Sequence, residues 1–218
     1  MSIKKKWLSV IFGICFVGAA HVAVAETNID LRVKLGSAAG VDTVEVTNIG
    51  ETDATQSGSG NFQVEVAFTP QSSSGANFVG TIGVFGRNHK GQVADPVLPT
   101  DVEYSAAGLS GSAGISVKAS DNFHFEGRFE LDLGSGKPTL TTPGFVWNTT
   151  REGGYAATSL ILGGYYTISK PGLQLGLELG AQSFVGNFQI WNSITGSWMD
   201  GKVKGTGGTA NLVIGYRF

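Results

Sequence analysis

A two-residue rhythm limits what this chain can become more than any other feature of it. Residues 29–36 alternate Ile29, Leu31, Val33 and Leu35 with Asp30, Arg32, Lys34 and Gly36. Residues 62–68 alternate Phe62, Val64, Val66 and Phe68 with Gln63, Glu65 and Ala67. Residues 123–133 set Phe123, Phe125, Gly127, Phe129, Leu131 and Leu133 against His124, Glu126, Arg128, Glu130 and Asp132. Residues 173–182 set Leu173, Leu175, Leu177, Leu179 and Ala181 against Gln174, Gly176, Glu178, Gly180 and Gln182. Successive side chains of a strand point to opposite faces, so each run predicts a strand with one apolar and one polar face. Residues 104–118 predict another strand, 77–87 and 155–168 two whose faces stay unassigned, and 209–218 an eighth. No stretch carries a helical period.

The connections alternate too. Those at 37–60, 88–103, 135–153 and 186–205 are long and rich in Gly, Ser, Thr, Asn, Asp and Pro, as loops are. Those at 70–76, 120–122 and 169–172 are short. Eight antiparallel strands with short turns at one end and long loops at the other describe a transmembrane β-barrel of the bacterial outer membrane.

A soluble barrel alternates as well, with its apolar face inward, so the polar rows must decide. The strand at 104–118 carries Gly108, Ser110, Ser112, Gly114 and Ser116 on that row, small residues suited to a cramped lumen. The strand at 123–133 mixes both signs of charge on one line, which allows pairing across a narrow interior. Phe62, Phe68, Phe123, Tyr216 and Phe218 fall near strand ends, where an aromatic girdle belongs. The expected fold is therefore all-β: a closed, antiparallel, up-and-down transmembrane barrel of eight strands, apolar side outward.

The last ten residues, TANLVIGYRF, carry a resemblance. Leu212, Ile214, Tyr216 and Phe218 alternate up to a final aromatic, as in the terminal strand of small bacterial outer-membrane barrels of the OmpA/OmpX/OmpW kind. The ending GYRF is similar to that of the OmpX/Ail type. The resemblance implies that these four residues form a signal read by the barrel assembly machinery, and that the last strand pairs with the first. Closure suits a bilayer, whose core offers no water to unpaired backbone groups.

Residues 1–25 read as a cleaved signal peptide: Lys4, Lys5 and Lys6, an apolar run from Trp7 to about Ala20, and Ala23-Val24-Ala25. The barrel domain is then 26–218. The single cysteine, Cys15, falls inside the signal, so the mature domain has no disulfide to lean on. Loss of the three lysines takes the net charge from -2 to -5, which gives no footprint for nucleic acid.

Arg32, Lys34, Glu65, Glu126, Arg128, Glu130, Glu178 and Arg217 form the expected lumen network, with His124 and Asp132 on the same inward rows. An eight-strand barrel is only just wide enough for its own side chains, so a packed ion-pair network is the expected state and an ion path the alternative. His89 falls in a long connection with Asp95 and Asp101 downstream, and reads as a solvated loop residue. Catalytic, cofactor-binding and metal residues are none. Phe145 and Trp147, and Trp191, Ile194 and Trp198, put large apolar side chains in or beside two loops. Asn148-Thr149-Thr150 matches a glycosylation sequon by chance. The expected function is a non-catalytic barrel with long extracellular loops, for surface interaction or adhesion or for envelope integrity. Alternatives are a narrow porin-like channel for small or apolar solutes and, third, a lipid A-modifying enzyme. The expected partners are outer-membrane lipid and lipopolysaccharide, the assembly machinery and a host or envelope protein met through the loops. The expected state is a monomer.

Overall fold

The computed structural model describes residues 27–47, 49–70, 75–93, 99–142, 145–147, 150–169, 171–192 and 195–218. The expected signal peptide, Asp95, Ile194 and most of the sequon lie outside the described residues. Among the described residues eleven strands follow one another: β1 (Thr27–Gly36), β2 (Thr43–Val46), β3 (Gly50–Gln56), β4 (Gly60–Pro70), β5 (Ala76–Val93), β6 (Thr100–Lys118), β7 (Phe123–Thr142), β8 (Phe145–Trp147), β9 (Thr150–Thr167), β10 (Gly172–Asn192) and β11 (Ser197–Arg217). Eight of them close a ring in the order β1, β4, β5, β6, β7, β9, β10, β11, every neighbouring pair antiparallel. β11 returns to β1 in register from Asp30↔Arg217 to Gly36↔Asn211. The fold is thus the closed eight-strand antiparallel barrel that the alternation predicts.

The outer face carries the apolar rows. Leu173, Leu175, Leu177 and Leu179 of β10 point away from the interior, as do Leu160 and Leu162 of β9, Phe125 and Phe129 of β7, and Leu212, Ile214 and Tyr216 of β11. The two strands left unassigned resolve in the same way. Phe78, Ile82 and Val84 of β5 face out, while Val79, Thr81, Phe85 and Arg87 face in. On β9 the inward row is Tyr155, Ala157, Ser159, Ile161 and Tyr165.

The long connections are mostly strand, which corrects their reading as loops. β5 runs on to Val93 and β6 starts at Thr100; β7 and β9 reach Thr142 and Thr150; β10 and β11 leave only residues 193–196 between them. Their Gly, Ser, Thr and Asn content reads as loop, yet the backbone ladders continue, as from Gly186↔Val203 to Asn192↔Ser197. The hairpins stand beyond the apolar band at one end of the barrel.

The first long connection behaves differently. β1 and β4 stop early, and the β2–β3 hairpin takes their place in the wall between β11 and β5. Residues 37–42, which link β1 to β2, dip into the lumen as a strap, with Ala38, Ala39, Gly40 and Val41 all buried.

Candidate functional site: a lumen closed in two tiers

The lower tier lies at the short-turn end and is ionic. All eight residues of the expected network point inward, are buried and come together there. Arg32 of β1 reaches Glu126 of β7 through Nη1 and Nη2, at 2.8 and 2.7 Å, and Asp30 at 2.9 Å. Arg217 of β11 donates to both oxygens of Asp30, at 2.6 and 2.7 Å. Lys34 sits among three carboxylates, Glu65 at 2.8 Å, Glu178 at 3.2 Å and Glu130 at 3.7 Å. Arg128 donates to Glu65 at 3.0 Å, to the Tyr165 hydroxyl at 3.1 Å and to Glu178. Buried charges need both pairing and extra hydrogen bonds to offset lost hydration. Gln63 donates to Glu65, Ser110 and Glu130, and the Arg32 guanidinium rests 4.3 Å from the centre of the Tyr165 ring. His124 stacks on the same Tyr165 ring at 5.1 Å, and contacts Glu126 at 3.2 Å.

Sequence reasoning missed several members of this tier. Arg87 pairs with Glu130 at 3.0 Å and Asp132 at 2.6 Å. It lies on β5, whose faces the blurred pattern left open. Tyr165 was hidden for the same reason on β9. Asp30 and Gln174 were legible, since each shares the polar parity of its strand.

The upper tier is apolar and aromatic. Phe85, Tyr104, Tyr155, Phe184 and Phe188 point inward from four strands and pack with Val41, Val102, Leu140 and Val203. Tyr155 lies 5.5 Å from Phe85 and 6.2 Å from Tyr104, ring centre to ring centre. So narrow a lumen fits rings only beside residues without side chains. A Cβ on Gly186 would lie 2.3 Å from the Tyr104 ring, and one on Gly201 2.3 Å from the Phe188 ring. Part of the chain's glycine content thus makes room for the aromatic plug.

His89 is the clearest correction to the sequence reading. It is no solvated loop residue but a fully buried member of β5. Its ring stacks on Phe184 at 3.7 Å, Nδ1 lies 2.7 Å from the Ala39 carbonyl, and Nε2 lies 2.9 Å from the Tyr155 hydroxyl. Both ring nitrogens are thereby occupied. Asp101 is outward and accepts from Gln92, away from the imidazole. Trp191 and Trp198, expected in or beside a loop, face each other as strand residues near the tip of the β10–β11 hairpin. Their rings meet edge to face at 5.4 Å, and Arg151 lies 3.9 Å above Trp198. Phe145 and Trp147 belong to β8, whose side chains lie outside the described residues. Among the described residues no group of three side chains is arranged to hold a metal ion.

A closed barrel with its charges inside and its leucines outside needs lipid around it. This is an outer-membrane β-barrel. The crystal structure of the outer-membrane protein OprG from Pseudomonas aeruginosa has the same fold, with a TM-score of 0.50 at 12% identity over 89% of this chain and 96% of that one. Ail, the attachment invasion locus protein of Yersinia pestis, matches at 15% identity and a TM-score of 0.39 over 89% and 99%. AlkL in lipid bilayers matches at 12% identity and a TM-score of 0.44 over 89% and 90%. No family model and no curated protein sequence matches the chain.

Proposed function

We propose that the barrel is a non-catalytic mount that holds rigid hairpins outside the cell for contact with a host surface or another envelope component. The observation that carries this reading is the filled lumen. An ion or solute would have to pass the Lys34–Glu65–Glu178 cluster and then the Tyr104–Tyr155–Phe184 plug. Interiors of eight-strand barrels hold little besides their own side chains. Functional residues collect on segments mounted on a rigid scaffold, and here the mounted segments are the β5–β6, β7–β9 and β10–β11 hairpins. Short turns mark the periplasmic side of such barrels, which puts the hairpins outside. Lipopolysaccharide would meet the outer wall around Lys202 and Lys204, paired here with Glu45 and Glu51. The protein acts as a monomer in this reading, and the assembly machinery meets its last strand.

Two measurements test it. Purified protein in planar bilayers should show no stable conductance; a large, steady one would favour the channel. An epitope placed at Gly196, at the β10–β11 tip, should be stained on intact cells. Staining only after lysis would reverse the orientation and remove the surface role.

One observation favours a second reading, passage of small apolar solutes. The apolar upper tier lies beside the stretch of β11, residues 205–210, where the ladders to β1 and β2 are interrupted. Uptake of a small apolar solute by cells with and without the protein would separate this reading from the first.

A further inference from the structure

The strap at 37–42 is held differently from the wall it interrupts. Ala39 N–H donates to Gln182 at 3.3 Å and Gly40 N–H to Gln56 at 3.3 Å, both side-chain partners. Val41 N–H reaches the Lys90 carbonyl at 2.9 Å and Asp42 N–H the Lys204 carbonyl at 2.8 Å. The Asp42 carboxylate turns outward and accepts from Thr206 N–H and Oγ1, at 2.6 and 2.9 Å. Besides the bond to Gln182, the strap is tied to the lumen centre by the Ala39 carbonyl, which faces His89.

Those partners fix the tautomer. A carbonyl only accepts, so Nδ1 carries the proton and donates to Ala39, leaving Nε2 to accept from the Tyr155 hydroxyl. The ring is neutral and dry, capped by Phe184 on one face and by the strap above. We propose that His89 is a proton-sensitive latch: the strap stays folded into the lumen while the imidazole is neutral and lifts out when the imidazole takes up a proton.

The surroundings give a second proton no welcome. From β5 the nearest charged side chain is Arg87, another cation, and it is occupied by Glu130 and Asp132 of β7. β6 offers Tyr104, β9 Tyr155, and β10 Phe184 and Gln182. The inward positions of β11 at this level, Val203 and Gly205, bring no titratable group, and the strap's own carboxylate points away. His89 stands above the apolar band, whose last member on β5 is Val84. Burial, outweighing the favourable Ala39 carbonyl, pushes the imidazole down to about 4. A group whose folded value is depressed contributes its full stability above the ordinary histidine value, about 6.5, and loses it as the pH falls through the folded value. Charging the ring requires water, and the strap is the cover with the fewest ladder bonds.

Hydrogen exchange read by mass spectrometry, on the full barrel in lipid nanodiscs and corrected for intrinsic rates, tests the latch. Between pH 7.5 and pH 4, amides of residues 37–42 should lose at least tenfold protection while the β6–β7 ladder stays protected. The variant H89Q keeps a donor for the Ala39 carbonyl and cannot titrate in this range, so its strap should show a flat profile. A wild-type strap equally protected at both pH values would overturn the proposal. So would an H89Q strap that opens at the same pH as wild type, or joint loss of strap and ladder, which is global unfolding. If H89Q loosens the strap at every pH, the wild-type contrast between strap and ladder still decides.

Discussion

Arg32 and Glu126 join opposite walls of the barrel through two parallel hydrogen bonds of 2.8 and 2.7 Å. In the closed order β1, β4, β5, β6, β7, β9, β10, β11, their strands stand four places apart in either direction. A guanidinium fork matched to a carboxylate is the strongest common ion-pair geometry, and here it spans the lumen. Arg32→Met should leave Glu126 buried with only the more distant Arg128 Nε, at 3.4 Å, and His124 for company. Removing one partner of a buried pair costs about 3–5 kcal/mol. The double change Arg32→Met with Glu126→Leu should cost less than the single one. Urea unfolding in lipid vesicles measures both, and a single-variant loss below about 1 kcal/mol would show that the network tolerates an orphan.

Two plugs in series make a specific prediction about conductance. Glu126→Ala with Arg128→Ala should thin the ionic tier, but the aromatic tier should still block current. Tyr104→Ala with Phe184→Ala should open the upper tier alone, again with little current. All four changes together should give a measurable single-channel conductance in planar bilayers. Current from either pair alone would mean that one tier does all the blocking.

The outer wall is tested by charge. Leu177 of β10 faces outward between Gly164 of β9 and Leu212 of β11, midway along the Leu173–Leu179 row. Leu177→Arg should destabilise the barrel by roughly 2–4 kcal/mol, as a basic residue does at the midplane of a membrane barrel. Asn187→Arg, on the same strand above the band, should cost close to nothing. Equal effects at both positions in vesicle unfolding titrations would mean that the band is not where lipid lies.

These wall positions also show how much was legible. The faces of β1, β4, β7 and β10 followed from alternation alone, because in each the apolar residues keep one parity through the bilayer. The upper tier was missed because the parity changes hands. On β10 the odd positions Leu173 to Leu179 face lipid, whereas Phe184, Phe188 and Ile190, all even, face the lumen. On β5 the switch runs from even, Phe78, Ile82 and Val84, to odd, Phe85 and His89. Above the bilayer, water replaces lipid outside, so the apolar row belongs inside. A search for that switch would have located both the membrane edge and the buried place of His89. The strap would have stayed hidden, since Ala38, Ala39, Gly40 and Val41 are too few and too small to carry a period.

Phe218 poses the last test. Its backbone N–H donates to the Ile29 carbonyl at 3.0 Å, and its ring meets Tyr216 edge to face at 5.1 Å. The ring is two-thirds exposed on the protein's own surface, facing where lipid lies. Phe218→Ala keeps the backbone bond and the β1–β11 register, and gives up about 1.5–3 kcal/mol of apolar transfer at most. Seven ladders remain intact, and the seam between β1 and β11 frays only at its end. Spontaneous refolding from urea into vesicles should therefore be nearly normal. Delivery in cells should not be. If the terminal strand is read before the barrel exists, the missing ring is lost at a stage when no ladder can compensate. The expected outcome is a variant that refolds in vitro yet reaches the outer membrane several-fold less than wild type, by quantitative blotting of membrane fractions. Equal failure in both settings would make Phe218 a structural residue only. Equal success would show that Leu212, Ile214 and Tyr216 suffice for the signal, or that no signal resides in this strand.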